Sequence, residues 1–326
     1  MKYAIGVDIG GSYINYALVG AAGGIFYKGK CKTEASEGRK FVLAKIMQCI
    51  RDVNIFAEAN DFEVAGVGIG TPGIIDNGLI LGGAENLPEW ESLPLAGILS
   101  KHFDIPIFID NDANLMGLGE VRFGEKGNDS DVVFLAIGTG IVGALVLDGR
   151  LYGGHRNRGA ELGHFIVNFD GEICSCGARG CLDAQASVTA LIRDYKRLMV
   201  ESGKKILKEP DWKYIFARYL ENEQMAVDAL NIHFNYLAAG IAGLINFFSP
   251  QKVVIGGGIS EGGSFYIDEL RKRSLNIAMK ETQIFTEICQ AKLGSQAGCY
   301  GGAALVFDHV GWFTGLIQAG YMQENY

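Results

Sequence analysis

The feature that most constrains the fold of this chain is an internal repeat. Residues 7–19 read VDIGGSYINYALV, and residues 135–147 read LAIGTGIVGALVL, 128 positions later. Each segment consists of an apolar strand, a turn of small residues and a second apolar strand. The repeat predicts a duplicated chain with two related halves, although two unrelated glycine hairpins would give the same pattern.

The chain length and the order of its elements agree with two α/β halves. A chain of 326 residues is long enough for two domains. Helical spacing over 41–60 and 95–103 alternates with apolar strands at 63–69 and 105–109. Glycine is abundant (46) and proline scarce (6), so the glycines are expected in tight turns or beside a ligand, not in linkers.

Charge and hydropathy exclude several classes of protein. The 29 basic and 37 acidic residues give a net charge of −8, which argues against a nucleic-acid partner. Asp8 interrupts the first apolar run, so we predict no signal peptide. The longest uncharged stretch, 132–147, is short and broken by glycines, which argues against a membrane span. A cytoplasmic protein with no membrane partner is expected.

Four potential metal ligands are clustered within a short segment: His164, Cys174, Cys176 and Cys181. One imidazole and three thiolates form a donor set typical of a structural, tetrahedral zinc site. A Cys176–Cys181 disulfide or three unreactive buried thiols would explain the same residues. The odd total of seven cysteines argues against a disulfide framework.

Two glycine turns at corresponding places in the repeat are candidate phosphate sites. We call residues 10–12 the first glycine turn and residues 138–140 the second. Backbone N–H groups without large side chains can bind phosphate, and the nearby carboxylate of Asp8 can hold Mg²⁺. A third glycine cluster, 256–258, follows the predicted buried strand 252–255. Each turn alone is weak evidence, because a glycine hairpin is usually only a turn.

The pair Asn111–Asp112 follows an apolar strand directly. Ligands of α/β sheets bind at the carboxyl ends of strands, so Asp112 could take a proton from a substrate hydroxyl. The alternative is that Asn111 or Asp112 merely caps the following helix.

Taken in order, these motifs resemble the ROK family of repressors, open reading frames and sugar kinases. The resemblance spans nearly the whole chain. Its most specific parts are the Glu-x-Gly-His motif at 161–164 and the cysteine motif at 174–181. It implies the duplicated actin-like ATPase (ribonuclease H-like) fold, with two lobes around a central cleft. The implied lobes are 1–112, joined by a C-terminal helix at about 300–326, and 113–299.

The resemblance also assigns roles to individual residues. It implies that Asp112 is the catalytic base, that zinc is held by the four clustered ligands, and that His164 serves the sugar as well. The sugar-binding residues that it implies are Gly73, Asn111, Asp112, Glu161, His164 and Asp183. The residues that it implies for ATP and Mg²⁺ are Asp8, Gly10, Gly11, Ser12, Gly138, Thr139, Gly140 and Gly257.

The sequence departs from the family pattern at three positions. Ser12 and Tyr13 stand where the family usually has Thr and Lys, so a positive charge is lost beside the phosphates. Asp183 stands where the family usually has Glu, and its shorter side chain leaves the preferred sugar open.

The implied reaction is ATP-dependent phosphorylation of a hexose at its C6 hydroxyl, with glucokinase activity favoured. An N-acetylmannosamine or N-acetylglucosamine kinase is the main alternative. A sugar-responsive regulator or a non-catalytic sugar-binding protein is less favoured. The resemblance also suggests a homodimer or higher homo-oligomer.

Overall fold

The computed structural model describes residues 2–124, 129–206 and 208–311. Its contacts divide the chain into two units. The described residues of the first unit fall within Met1–Ser130, Ala144–Ala160 and Lys292–Tyr326, and those of the second within Asp131–Gly143 and Glu161–Ala291.

Twelve strands and ten α-helices lie in the described part of the chain. The strands are β1 (Tyr3–Ile9), β2 (Tyr13–Gly20), β3 (Ile25–Lys32), β4 (Val64–Thr71), β5 (Ile74–Asp76), β6 (Leu79–Gly82), β7 (Ile107–Asn111), β8 (Val132–Ile137), β9 (Ile141–Leu147), β10 (Arg150–Leu151), β11 (Lys252–Gly256) and β12 (Glu287–Gln290). The helices are α1 (Arg39–Ala59), α2 (Leu95–Leu99), α3 (Asp112–Phe123), α4 (Leu182–Ala186), α5 (Val188–Glu201), α6 (Trp212–Leu220), α7 (Gln224–Phe248), α8 (Ser264–Ile277), α9 (Lys280–Gln283) and α10 (Ala297–His309).

The strand order confirms the predicted repeat. The first sheet has the order β3-β2-β1-β4-β7, and the second has the order β10-β9-β8-β11-β12. In the first, β1 is antiparallel to β2 and parallel to β4, which is parallel to β7. In the second, β11 is parallel to both β8 and β12. Each sheet therefore begins with three consecutive strands in a meander. The next two strands of the sheet run parallel to the first strand of that meander.

The first sheet is covered on both faces. Helix α1 contributes Val42, Ile46 and Ile50 to one apolar cluster, while α3 and α10 build the other. Helix α10 packs so closely on the sheet that a Cβ on Gly68 of β4 would lie 1.8 Å from the Gly302 carbonyl oxygen. Close backbone packing therefore explains part of the high glycine content.

Helix α3 extends the first unit beyond residue 112, the lobe limit predicted from the sequence. It packs on α10 so tightly that a Cβ on Gly301 would lie 1.7 Å from the Leu115 carbonyl oxygen. Helix α10 begins close to the predicted C-terminal helix, and the remainder of that prediction, 312–326, lies outside the described residues.

Several predicted elements differ from the observed ones. Helix α2 ends at Leu99 and does not continue to Phe103, since His102 N–H bonds the Leu99 carbonyl in a turn. Helix α8 and strand β12 were not predicted. No helix in the described ranges is long and apolar enough to cross a membrane.

Candidate functional site

Asp8 lies near the end of β1, where the sheet meets α10. Its Oδ2 accepts a 3.2 Å hydrogen bond from Asn15 Nδ2. A Cβ on Gly298 of α10 would lie 2.5 Å from Asp8 Cγ, so only glycine fits there. Burial raises the pKa of Asp8 to about 6; Asn15 opposes the shift and the negative charge of Asp112 adds to it. A half-buried carboxylate beside a second acid suits a bound cation such as Mg²⁺.

Two carbonyls of the first glycine turn are bonded to Thr33, whereas two of its backbone N–H groups are not used among the described residues. Thr33 holds this turn: its Oγ1 donates to the Gly10 carbonyl at 2.6 Å and its N–H to the Ser12 carbonyl at 3.0 Å. The N–H groups of Gly11 and Ser12 have no acceptor in the described part of the chain. Such an arrangement can bind an anion.

Asn111 and Asp112 combine the two roles that the sequence left open. Asn111 is the N-cap of α3, since its Oδ1 accepts hydrogen bonds from the N–H groups of Ala113 (2.9 Å) and Asn114 (3.2 Å). Asp112 is the first residue of the helix. Its carboxyl group therefore lies at the positive end of the helix dipole, a position that acidic side chains favour.

Gly73 and Asn111, two predicted sugar-side residues, are in contact. Asn111 Nδ2 donates to the Gly73 carbonyl at 3.0 Å. Gly73 has a φ of 105°, and a Cβ there would lie 2.6 Å from the Gly82 carbonyl oxygen. Glycine is therefore needed at this turn, and the turn is tied directly to the start of α3.

Asp110, the residue before Asn111, was not among the predicted site residues. Its Oδ1 accepts from Asn111 N–H at 2.7 Å and from Asn114 Nδ2 at 2.8 Å. Burial raises its pKa, with both hydrogen bonds opposing the shift. Asp110 therefore braces the segment that carries Asp112. In the sequence, this bracing contact is indicated only by the four-residue spacing between Asp110 and Asn114.

The second glycine turn is held in the same way as the first. Its closing bond joins Gly138 N–H to the Gly140 carbonyl at 2.8 Å. Val188 N–H bonds the Gly138 carbonyl at 2.9 Å, and Thr189 Oγ1 bonds the Thr139 carbonyl at 2.7 Å. The start of α5 thus fixes the carbonyls of this turn.

Gly257 lies beside the end of β8, next to the second glycine turn. Its φ is 84°, and a Cβ there would be 2.1 Å from the Ile137 carbonyl oxygen. Its own carbonyl accepts from both the N–H and the hydroxyl of Ser260. The backbone conformation therefore requires glycine here.

The remaining predicted sugar ligands lie in the second unit. His164 N–H donates to the Glu161 carbonyl at 2.9 Å, so these residues share one turn. Asp183, in the first turn of α4, donates its N–H to the Gly163 carbonyl at 2.8 Å. Its Oδ1 accepts a bond from Ile141 N–H, a contact that the sequence did not predict. Glu161, His164 and Asp183 are thus linked through a few backbone bonds.

The four predicted metal ligands are brought together. Their donor atoms all lie within 4.8 Å of one another. Cys174 Sγ is 3.5 Å from His164 Nδ1, and Cys176 Sγ is 3.6 Å from Cys181 Sγ. Zinc–sulfur bonds of about 2.3 Å in a tetrahedron place sulfurs at roughly this separation. No disulfide joins any of the cysteines in the described part of the chain, and the geometry and chemistry of the donor set fit zinc.

The predicted site residues therefore form two groups, one in each unit. The first unit holds Asp8, the first glycine turn, Gly73, Asn111 and Asp112, and the second holds the remainder. A carboxylate at a helix start and a turn that can bind an anion are among the parts used in phosphoryl transfer to a hydroxyl.

Comparison with known proteins gives matches over almost the whole chain. The model of the ROK family matches residues 4–309. A glucokinase from Thermotoga maritima is 35% identical over 94% of this chain and 98% of its own length. A xylose repressor from Caldicellulosiruptor bescii is 31% identical over 82% of this chain and 69% of its own.

Among solved structures, a ROK family glucokinase from Streptomyces griseus in complex with glucose and AMPPNP is similar. It has a TM-score of 0.75 and 29% identity, and the match covers 93% of this chain and 98% of that one. These matches confirm the predicted fold class.

Proposed function

The chain belongs to the ROK family, and we propose that it is an ATP-dependent hexose kinase that phosphorylates the C6 hydroxyl, with glucose as its preferred substrate. The observation that carries this proposal is the position of Asp112 at the start of α3, braced by Asp110 and adjoining the Gly73 turn. The similarity to glucokinases over more than nine-tenths of the chain supports it.

Asp112 would act as the general base. Its carboxylate takes the proton from the C6 hydroxyl while that oxygen bonds to the γ-phosphorus of ATP. The bond from the γ-phosphorus to the β–γ bridging oxygen breaks, and ADP leaves with the electron pair. The N–H groups of Gly11 and Ser12, in the turn that Thr33 holds through the Gly10 and Ser12 carbonyls, stabilise the phosphate oxygens. Mg²⁺ bound near Asp8 would supply charge compensation for the phosphates.

Sugar recognition would use groups that remain available after the internal bonds are made. Asn111 Nδ2 carries two hydrogens, and only one is needed for the Gly73 carbonyl. His164 turns Nδ1 toward Cys174, which leaves Nε2 for a sugar hydroxyl. Glu161 completes the proposed set together with Asp183, whose Oδ2 lies 3.8 Å from Cys174 Sγ and keeps a further lone pair for a sugar hydroxyl. Zinc on the four-ligand cluster would fix the His164 ring.

Two other functions have specific support. Asp183 accepts a hydrogen bond from Ile141 N–H with one carboxylate oxygen, so it has fewer lone pairs for sugar hydroxyls. A different sugar from glucose would fit this reduced set, and N-acetylmannosamine and N-acetylglucosamine are the candidates to test. The similarity to a xylose repressor favours a sugar-responsive regulator. The regulator would bind sugar without turnover.

The cytoplasmic location and the homodimer remain proposals. Light scattering of the purified protein tests the dimer.

The deciding experiment is an assay of ADP release with a panel of glucose, mannose, xylose and the two N-acetylhexosamines. Glucose should give the highest kcat/KM. The control 6-deoxyglucose should bind but should not be phosphorylated, because it lacks the C6 hydroxyl. Replacing ATP by polyphosphate tests the donor. Glucose binding with no turnover of any sugar would support the regulator and contradict the kinase.

A further inference from the structure

A cavity of about 450 Å³ opens beside the first glycine turn, entirely within the first unit. Its lining is Gly11, Ser12, Tyr13, Lys32, Glu34, Ala35 and Ser36. The N–H groups of Gly11 and Ser12 have no acceptor among the described residues, and two serine hydroxyls add further donors. These groups favour an anion with several oxygens.

The lining of this cavity carries two charged side chains, Glu34 and Lys32, and they differ in their ion pairing. Glu34 is paired with Lys45, whose ammonium group lowers the pKa of that carboxyl. Lys45 also donates to the Lys32 carbonyl at 2.8 Å. The Lys32 ammonium makes no ion pair within the described ranges, although its positive charge also contributes to lowering the pKa of Glu34. The carboxylate of the cavity is thus compensated mainly by Lys45, and the Lys32 ammonium, which makes no ion pair of its own in the described ranges, can contact a ligand.

The cation in this cavity comes from β3, not from the turn itself. Tyr13, which follows the turn, is uncharged and lies opposite Lys32 in the β2–β3 register. The Lys30 ammonium sits 4.1 Å from the centroid of the Tyr13 ring. Lys30 is therefore engaged with an aromatic face, and Lys32 is the β3 lysine that lines the cavity.

Protection of a sheet edge offers another explanation for these lysines. Strand β3 is the edge of the first sheet, and Lys28, Lys30 and Lys32 are all exposed on the same face. Charged residues on edge strands prevent pairing with other chains. That explanation makes Lys28 and Lys32 equivalent, whereas the cavity distinguishes Lys32 from Lys28. The two lysines therefore form a matched pair for an experiment.

We propose that Lys32 binds the polyphosphate chain of the phosphoryl donor and provides the positive charge that Tyr13 lacks. This inference rests on the proposed kinase function and identifies a donor-binding residue within it. A lysine acts on phosphate as a point charge, so its contribution should decrease with salt.

The test compares Lys32→Met, Lys32→Arg and Lys28→Met with the wild-type protein. Lys32→Met should raise the KM for MgATP about tenfold, because a charge-assisted bond is lost, and should leave sugar affinity unchanged. Lys32→Arg should retain most of the affinity, and Lys28→Met should behave as wild type. The effect of Lys32→Met should shrink at high salt. Equal KM values for Lys32→Met and Lys28→Met would overturn the inference while leaving the kinase proposal intact.

A second measurement separates this inference from the kinase proposal. Inorganic tripolyphosphate binding to the same four proteins, followed by calorimetry, needs no sugar and no turnover. If the wild-type protein phosphorylates no sugar but Lys32→Met alone weakens tripolyphosphate binding, the kinase proposal fails, and of the inference only the polyphosphate site at Lys32 stands. If the wild-type protein binds no tripolyphosphate, or all four proteins bind it equally, the inference is wrong.

Discussion

The backbone N–H of Ile141 donates a 2.6 Å hydrogen bond to Oδ1 of Asp183. Ile141 is the first residue after the second glycine turn, and a Cβ on Gly140 would lie 2.8 Å from the same oxygen. Asp183 also donates its own N–H to the Gly163 carbonyl, next to His164. One carboxylate thus connects the proposed donor side of the second unit with its proposed sugar side.

This connection predicts a split between two substitutions of Asp183. Asp183→Asn keeps an oxygen for Ile141 N–H, so it should raise the KM for sugar and leave the KM for ATP nearly unchanged. Asp183→Ala removes the acceptor and leaves a backbone donor unpaired, so both KM values should rise. Steady-state kinetics with each substrate varied in turn measures the split. Identical kinetics for the two variants would show that the bond to Ile141 has no role in donor binding.

The role of Asp112 predicts a loss of turnover without a loss of structure. Asp112→Asn should reduce kcat by about 10²–10⁴-fold, the typical contribution of a general base. The helix start should persist because Asn111 remains the N-cap. Glucose affinity by calorimetry and the thermal unfolding midpoint should both stay near wild type. Turnover within about threefold of wild type would remove Asp112 from the role of base.

The duplicated fold was predictable because its signals are local. Two apolar strands around a small-residue turn repeat at 7–19 and 135–147, and the strand orders of the two sheets repeat in the same way. Strand β12 has only four residues, too few for a clear alternation, and it was missed.

The contacts of the site were less predictable than its residues. The motifs placed Asp183 at the site, but its bond to Ile141 joins residues 42 positions apart and leaves no local pattern. Lys32 likewise reaches the first glycine turn through the β2–β3 register. A residue's type can be read from a motif, whereas such pairings depend on the tertiary fold.

The four-ligand cluster predicts about one zinc per chain. Cys176→Ser should lose the metal, and the exposed position of Cys176 means that the change creates no cavity. Glucose affinity should fall about tenfold or more, since the His164 ring is then no longer fixed by metal. Cys289→Ser, outside the cluster, is the control and should keep both zinc and affinity. Metal analysis showing no zinc in the wild-type protein would contradict this prediction.

The raised pKa of Asp8 predicts how stability changes with pH. The pKa is about 6 in the folded protein against an ordinary value of 3.8, so the folded state binds this proton more tightly than the unfolded state. Ionisation of Asp8 therefore destabilises the folded protein as the pH rises from 3.8 to about 6. Asp8→Asn has no such proton. It should match the wild type near about pH 4 and become progressively more stable than the wild type up to about pH 6.

The size of this difference has an upper bound of about 3 kcal/mol, since one pKa unit corresponds to about 1.4 kcal/mol. Urea unfolding across this pH range, without metal or nucleotide, measures it. Asp61→Asn changes an exposed acid of the same unit and controls for the loss of one negative charge. Asp110, whose pKa is also raised, is present in all three proteins and cancels in the comparison. A stability difference between Asp8→Asn and wild type that stays constant across the range would show that Asp8 ionises in the folded protein as it does in the unfolded chain.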